Sequence, residues 1–242
     1  MSKLTTDNDT LPSEVDLDKL FYKDSVLDST TKLHKAGFHI VRDSLNNRVT
    51  VLGHKAVPGY LFKKYLKDVD VPYEKQLASY ERRVKGARYL KTHLDELRIN
   101  SLVVPRKWLC QLPSRFDHGG NPEYVVVVEK FNILDHDRSR KRYRAISEDM
   151  LKDLCTIFCT FKRLDFSAKN MPFTPEGKIA FIDTGDLARI TADMEFRRAN
   201  YKKNVDKLFS DASQRLAGAL WNEVTARSTA SSSYAIARST PR

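Results

Sequence analysis

Asp165, Asn170 and Asp183 are the residues of this sequence whose types and spacing best suit chemistry on charged oxygens. They stand in Arg163-Leu-Asp-Phe-Ser-Ala-Lys-Asn170 and in Asp183-Thr-Gly185, five positions from Asp165 to Asn170 and thirteen from Asn170 to Asp183. Carboxylate and amide oxygens are hard donors suited to Mg²⁺ or Mn²⁺, and a carboxylate turned towards a hydroxyl can take its proton. A competing interpretation of the same residues is architectural: Asp165 caps a turn, Asn170 takes a left-handed backbone conformation, and Asp183-Thr-Gly ends a strand. An Asp-x4-Asn spacing alone does not separate the two, so the flanking elements carry the decision.

Upstream, Ser147 is placed to cap a helix whose first turn holds Glu148 and Asp149, favourable at the positive end of the helix dipole. Leu151, Leu154, Cys155, Phe158 and Phe161 recur along it as an apolar stripe. Downstream, Met171-Pro-Phe173 and Lys178-Ile-Ala-Phe-Ile182 flank Thr-Pro-Glu-Gly, which predicts a strand, a turn and a strand ending at Asp183. In this setting the segment resembles the catalytic loop and the metal-binding Asp-Phe-Gly segment of the protein-kinase family, whose H-R-D-x-x-x-x-N spacing Asp165 and Asn170 match. The resemblance implies that Asn170 and Asp183 hold Mg²⁺ or Mn²⁺ against the phosphates of ATP, and that Asp165 accepts or orients the proton of the attacking hydroxyl.

The residues before this segment fall in the order the same family uses. His39-Ile-Val-Arg-Asp43 and Arg48-Val-Thr-Val-Leu52 predict two strands joined through Ser-Leu-Asn-Asn, and Tyr60-Leu-Phe-Lys-Lys-Tyr-Leu66 predicts a third. A long amphipathic helix is predicted from about 73 to 97 by Leu77, Tyr80, Val84, Ala87, Leu90 and Leu94. Two apolar runs follow, 101–112 and Tyr124-Val-Val-Val-Val-Glu129, the second continuous enough for a strand buried on both faces. By resemblance, Lys63 is the third-strand lysine that contacts the α and β phosphates and Glu81 is its ion-pair partner. Alternation from Leu61 separates Lys63 from its rival Lys64, which points to the other face; Glu74 is the rival to Glu81. Backbone groups of Glu129-Lys-Phe131 resemble the hinge that reads the adenine edge, and Lys169 is a further candidate for phosphate contact, since Ser167 stands where protein-substrate kinases carry lysine.

Departures from the family pattern are specific. No G-x-G-x-x-G lies between the first two strands, where Asp43-Ser-Leu-Asn-Asn47 stands instead. Arg163-Leu164 replaces the His-Arg pair, which removes the usual receptor for an activation-loop phosphate. No Ala-Pro-Glu follows Asp183, and 57 residues remain after Gly185. The resemblance, over about 37–190, implies an α+β, two-lobed fold: a flexible leader at 1–30 that docks at most a short helix, a small β-sheet N-lobe at 31–134, a reduced helical C-lobe carrying the catalytic hairpin at 135–225, and a Ser- and Thr-rich mobile tail at 226–242. The expected activity is ATP-dependent phosphotransfer to a protein hydroxyl. The alternatives are another acceptor or chemistry, such as small-molecule phosphorylation or adenylyl transfer, and a noncatalytic, basic binding module.

Composition bounds the partners. The 242 residues are 41% hydrophobic and 30% charged, which suits a folded core and excludes a disordered chain. No run reaches the roughly 18 apolar residues of a membrane span, and the polar, acidic N-terminus differs from a secretory signal. Cys110, Cys155 and Cys159 form no disulfide framework, so a reducing, cytoplasmic setting is expected. Cys155 and Cys159, one helical turn apart, read as core thiols or, alternatively, as a metal pair. The formal charge of +11 suits an anionic partner. Of such partners ATP, a protein substrate and an activating protein are expected, and nucleic acid is not. The basic run Arg138-Ser-Arg-Lys-Arg-Tyr-Arg144 reads as a solvated linker or, alternatively, as a binding patch. The small size and missing regulatory parts resemble compact bacterial kinases, including effectors delivered into host cells.

Overall fold

The computed structural model describes residues 10–23, 26–42, 49–65, 71–117, 120–162, 166–185, 187–189, 194–209 and 211–226. The first elements are α1 (Leu17–Leu20), α2 (Thr30–Lys35), β1 (Phe38–Arg42), β2 (Thr50–His54), β3 (Tyr60–Lys64), α3 (Tyr73–Glu96), β4 (Leu102–Val103), β5 (Lys107–Gln111) and β6 (Tyr124–Glu129). They are followed by α4 (His136–Arg144), α5 (Glu148–Thr160), β7 (Phe161–Lys162), β8 (Ile179–Ala180), β9 (Ala188–Arg189), α6 (Met194–Leu208) and α7 (Asp211–Ala219). The fold is α+β, with a five-stranded antiparallel sheet and several helices. Two compact units account for the chain, Met1–Val84 with Arg106–Lys130 and Lys85–Pro105 with Phe131–Arg242. The second half of α3 and the strand after it thus group with the later residues, and the other division falls at 130/131 where the sequence suggests 134/135. The turn at 43–47, Asp165 and all but the first residue of the tail lie outside the described residues.

In the first unit the strand order is β1-β2-β3-β6-β5. The valine run of β6 lies between β3 and β5 and is buried on both faces, because alternate side chains serve two different clusters. Val125 and Val127 pack with Leu52, Phe62 and Trp108, whereas Val126 and Val128 pack with Tyr80 and Val84 of α3. The first of these clusters also takes in Val15, Leu20, Phe21, Val26, Leu27 and Leu33. The stretch expected to be a flexible leader is, over these positions, core. Phe21 is fully buried, its ring 4.9 Å from Phe38, 6.0 Å from Phe62 and 6.1 Å from Phe116. The Arg115 guanidinium donates to the Phe21 carbonyl at 2.6 Å and so satisfies the backbone there.

The second unit is built around α5, which is buried nearly all round and packs against α6, α7 and β4. The Ser147 hydroxyl accepts from the Met150 N–H at 3.3 Å, the cap expected from sequence. Asn200 of α6 donates to the carbonyls of Phe158 and Phe161, supplying partners for the carbonyl end of α5. Cys155 and Cys159 face this core, and burial pushes the Cys155 thiol up to about 12. The last part of the expected helical C-lobe is two helices, α6 ending at Leu208 and α7 beginning at Asp211. The basic run at 138–144 is a helix, α4, rather than a linker: Asp135 caps it by accepting from the Arg138 N–H at 2.8 Å, and Ser139 and Tyr143, one turn apart, are its buried side.

Phe21→Ala should cost about 3–5 kcal/mol, the usual loss for a buried phenylalanine. Urea unfolding of the full chain measures it, and a change within about 0.5 kcal/mol, as for an exposed position, would show that the N-terminal stretch does not pack.

Candidate functional site

A hairpin in the second unit positions Asn170 and Asp183. Its turn is Thr174-Pro-Glu-Gly177, where Gly177 sits at φ +88°, a left-handed conformation natural to glycine. From that turn outward the backbone pairs in one continuous register. The Thr174 N–H donates to Lys178 at 2.7 Å, Phe173 bridges Ile179, the Ala180 N–H donates to Pro172 at 2.9 Å, and the Ile182 N–H donates to Asn170 at 3.1 Å. The strand-turn-strand read from the sequence is therefore formed, and it ends with Asn170 opposite Ile182 and Asp183 next in line. One further strand and a helix hold the hairpin. β8 runs parallel to β4, and α4 fixes the other strand: Tyr143 donates its hydroxyl to Met171 at 2.6 Å, and Ser139 Oγ accepts from the Phe173 N–H at 3.2 Å.

The loop before the hairpin is anchored as well. Phe166 is buried with its ring 4.5 Å from Phe158, and the Ser167 carbonyl accepts from both the Asn170 and Met171 N–H groups at 2.9 Å. Asn170 is only 8% exposed, and among the described residues Arg98 is the non-glycine position at positive φ, so the left-handed interpretation of Asn170 does not apply. Lys169 beside it is exposed. Asp165 lies outside the described residues, yet the chain on either side is fixed. β7 precedes it and pairs antiparallel with β9, which follows Asp183-Thr-Gly185, through Phe161 opposite Arg189 and Lys162 opposite Ala188. The segment containing Asp165 and the segment containing Asp183 are thus tied at one end by β7 and β9 and at the other by the Asn170 and Ile182 backbones.

Asp183 is half-buried, and its Oδ1 accepts from the Gly185 N–H at 3.3 Å, a local turn that sets the carboxylate. Thr184 is fully buried against α3. Gly86 of α3 makes that approach, since a methyl group there would stand 2.2 Å from the Thr184 carbonyl oxygen. Among the described residues no group of three or more His, Cys, Asp or Glu side chains forms a metal cage. Asn170 and Asp183 are two oxygen donors brought to one end of the hairpin, a set that suits a cation whose remaining ligands are phosphate oxygens and water.

In the first unit, Lys63 is half-buried in β3 between Val51 and Val126. It shares the sheet face of Leu61, which packs against the cluster containing Tyr80 and Val84 of α3. Glu81 is half-buried on that helix, whereas Glu74 is exposed in its first turn. Lys64 points to the other face, is 3% exposed and pairs with Glu123 at 2.5 Å. The Glu129 carboxylate is held by Arg106, which donates from its backbone N–H and from Nε, each at 3.2 Å. The Glu129 and Lys130 N–H groups donate to Arg106 and Gly59, so the expected reading of a base edge does not draw on these two donors. The Phe131 backbone makes no hydrogen bond among the described residues.

No family model matches the chain, and no curated protein does. Among solved structures it is similar to that of WbdD, with a TM-score of 0.39 and 11% identity over 76% of this chain and 45% of the other. It is also similar to the CAK complex from Chaetomium thermophilum bound to ATP-gamma-S, with a TM-score of 0.35 and 14% identity over 67% and 50%. The chain spans half or less of the length of each. At these scores the site stands on its own geometry.

Gly86, Ser139 and Tyr143 support the hairpin without having been singled out for that role in the sequence. Gly86 alone carries a signal there, a glycine inside an otherwise strong helix, where it costs about 1 kcal/mol against alanine. Gly86→Ala should therefore destabilise by about 1–3 kcal/mol, the range for overpacking, despite the better helix former. Gly218→Ala in α7, where no atom lies within 4 Å of the added carbon, should stabilise by up to about 1 kcal/mol. Urea unfolding of both variants checks the opposite signs.

Proposed function

We propose that this chain binds ATP with Mg²⁺ or Mn²⁺ and transfers the γ-phosphoryl group to a hydroxyl of a protein substrate. The observation that supports this best is the double tie of the two acidic segments, β7 to β9 at one end and Asn170 to Ile182 at the other. Asp165 falls in the sequence between β7 and Asn170, and Asp183 directly follows the residue that pairs with Asn170.

In this reading the amide oxygen of Asn170 and the carboxylate of Asp183 hold the cation. When bound, the cation supplies positive charge that offsets the charge accumulating on the phosphate oxygens. Asp165 accepts the proton of the acceptor hydroxyl, whose oxygen forms the new P–O bond as the bond between the γ-phosphorus and the bridging oxygen breaks and ADP leaves. The Asp183 carboxylate is already set by the Gly185 N–H, so little ordering remains when the ligand arrives. Lys63 contacts the α and β phosphates and Glu81 orients it; Lys169 lies beside Asn170 as a second cation for phosphate. Glu129 and Phe131 contribute backbone groups near the base, the donor being the Phe131 N–H.

ATP with Mg²⁺ should raise the melting temperature, by about 2.7 kcal/mol of added stability at one hundred times Kd. Asp183→Ala should lose the metal-dependent part of that shift. Asp165→Ala should keep it and lose transfer, followed by mass spectrometry that distinguishes added phosphate from added AMP on protein. Unchanged melting at millimolar ATP with either metal, or full transfer by Asp165→Ala, would overturn the assignment.

A further inference from the structure

A groove of about 500 Å³ in the second unit is lined by His136, Arg140 and Arg144 of α4, with Ser167, Ala168, Leu208 and the buried rings of Tyr143 and Phe209. The three basic residues recur every four positions, which places them on one face of the helix. All three are exposed, and among the described residues none of their side chains has a hydrogen bond or an ion-pair partner. Their neighbours differ: Arg138 pairs with Asp135, and Arg142 donates to the Pro175 carbonyl and lies over the Phe173 ring. The basic side chains of α4 that meet the protein thus lie off the groove, and those that line it are unspent.

Like charges one turn apart cost a helix about 0.2–0.5 kcal/mol. The negative end of the helix dipole compensates Arg144, in the last turn, better than Arg140 one turn earlier. An anion between the two guanidiniums removes that repulsion and gains charge-assisted hydrogen bonds. Arg140 and Arg144 are separated along the axis by about 6 Å. Carboxylates on alternate residues of an extended peptide are spaced by about 6–7 Å, which matches. Tyr143 is 1% exposed and Phe209 6% exposed, so neither ring offers a face for stacking a base.

We propose that this groove binds an acidic segment of a protein, with Arg140 and Arg144 each taking a side-chain carboxylate and Leu208 and Ala168 accepting the apolar stems between them. Ser167 lines the groove two residues after Asp165, so the covalent chain holds the bound segment close to the proposed proton acceptor. Resting on the phosphotransfer reading, the groove then selects hydroxyls with Asp or Glu nearby.

The experiment measures binding of a fluorescent Glu-rich peptide to the full chain by anisotropy, without nucleotide, so that it reports on the groove alone. R140E/R144E should weaken binding tenfold or more, the scale of truncated charge pairs. K35E/K55E, the same charge change at exposed sites of the first unit, should leave it within twofold. R140Q/R144Q should give an intermediate loss, and the Gln counterpart of the peptide should not bind. Equal binding by R140E/R144E and wild type, or by the Glu and Gln peptides, overturns the proposal. So does a single-stranded RNA or an anionic vesicle that binds more tightly than the peptide and is lost with R140E/R144E. Retention of the ATP-dependent melting shift by R140E/R144E separates the two readings: the groove stands if peptide binds though ATP does not, and falls if ATP binds and peptide does not.

Discussion

Register in a hairpin leaves no freedom once its turn is fixed, and the candidate site inherits that property. Gly177 takes the positive φ that closes the turn, and each pair outward from it follows until Asn170 meets Ile182. Because side chains alternate along a strand, a slip of one residue would turn the end of the second strand over and send Asp183 to the opposite face. The slip is blocked from outside by side chains with no chemistry of their own. Tyr143 and Ser139 occupy backbone groups of one strand, and the β4 ladder occupies those of the other. Two residues thirteen positions apart are thus brought to one end of the hairpin chiefly by backbone hydrogen bonds, with their side chains left to be set locally.

Much of this was legible in the sequence because it rests on local signals. Ser147 with its acidic first turn, the Thr-Pro-Glu-Gly turn between apolar runs, and the continuous valine run of β6 each name their structure without reference to distant residues. Lys63 and Lys64 were separable by alternation alone, and the buried pair of Lys64 with Glu123 places that lysine on the far face.

What the sequence concealed depends on partners far along the chain. The stretch around Phe21 looks like a leader because its apolar residues are sparse and irregular, and their burial requires Phe38, Phe62 and Phe116. α4 reads as a solvated run because basic residues outnumber apolar ones. Its helical state is set by Asp135 at one end and by Ser139 and Tyr143, polar residues that turn inward. The break between α6 and α7 likewise has no glycine or proline to mark it.

Strand order also dictates what the chain must tolerate while it is being made. β3 lies between β2 and β6, but β6 begins at Tyr124, so a growing chain that has formed β1, β2 and β3 carries an open edge until some sixty more residues have emerged. Unpaired edges of apolar strands recruit other chains, and inward-pointing charges are a recurring defence. β3 ends in Lys63-Lys64, one lysine for each face of the sheet, so whichever way a foreign strand stacks it meets a cation. The pair of lysines, seen in the finished fold as one half-buried side chain and one ion pair with Glu123 next to β6, would during synthesis charge both sides of that open edge.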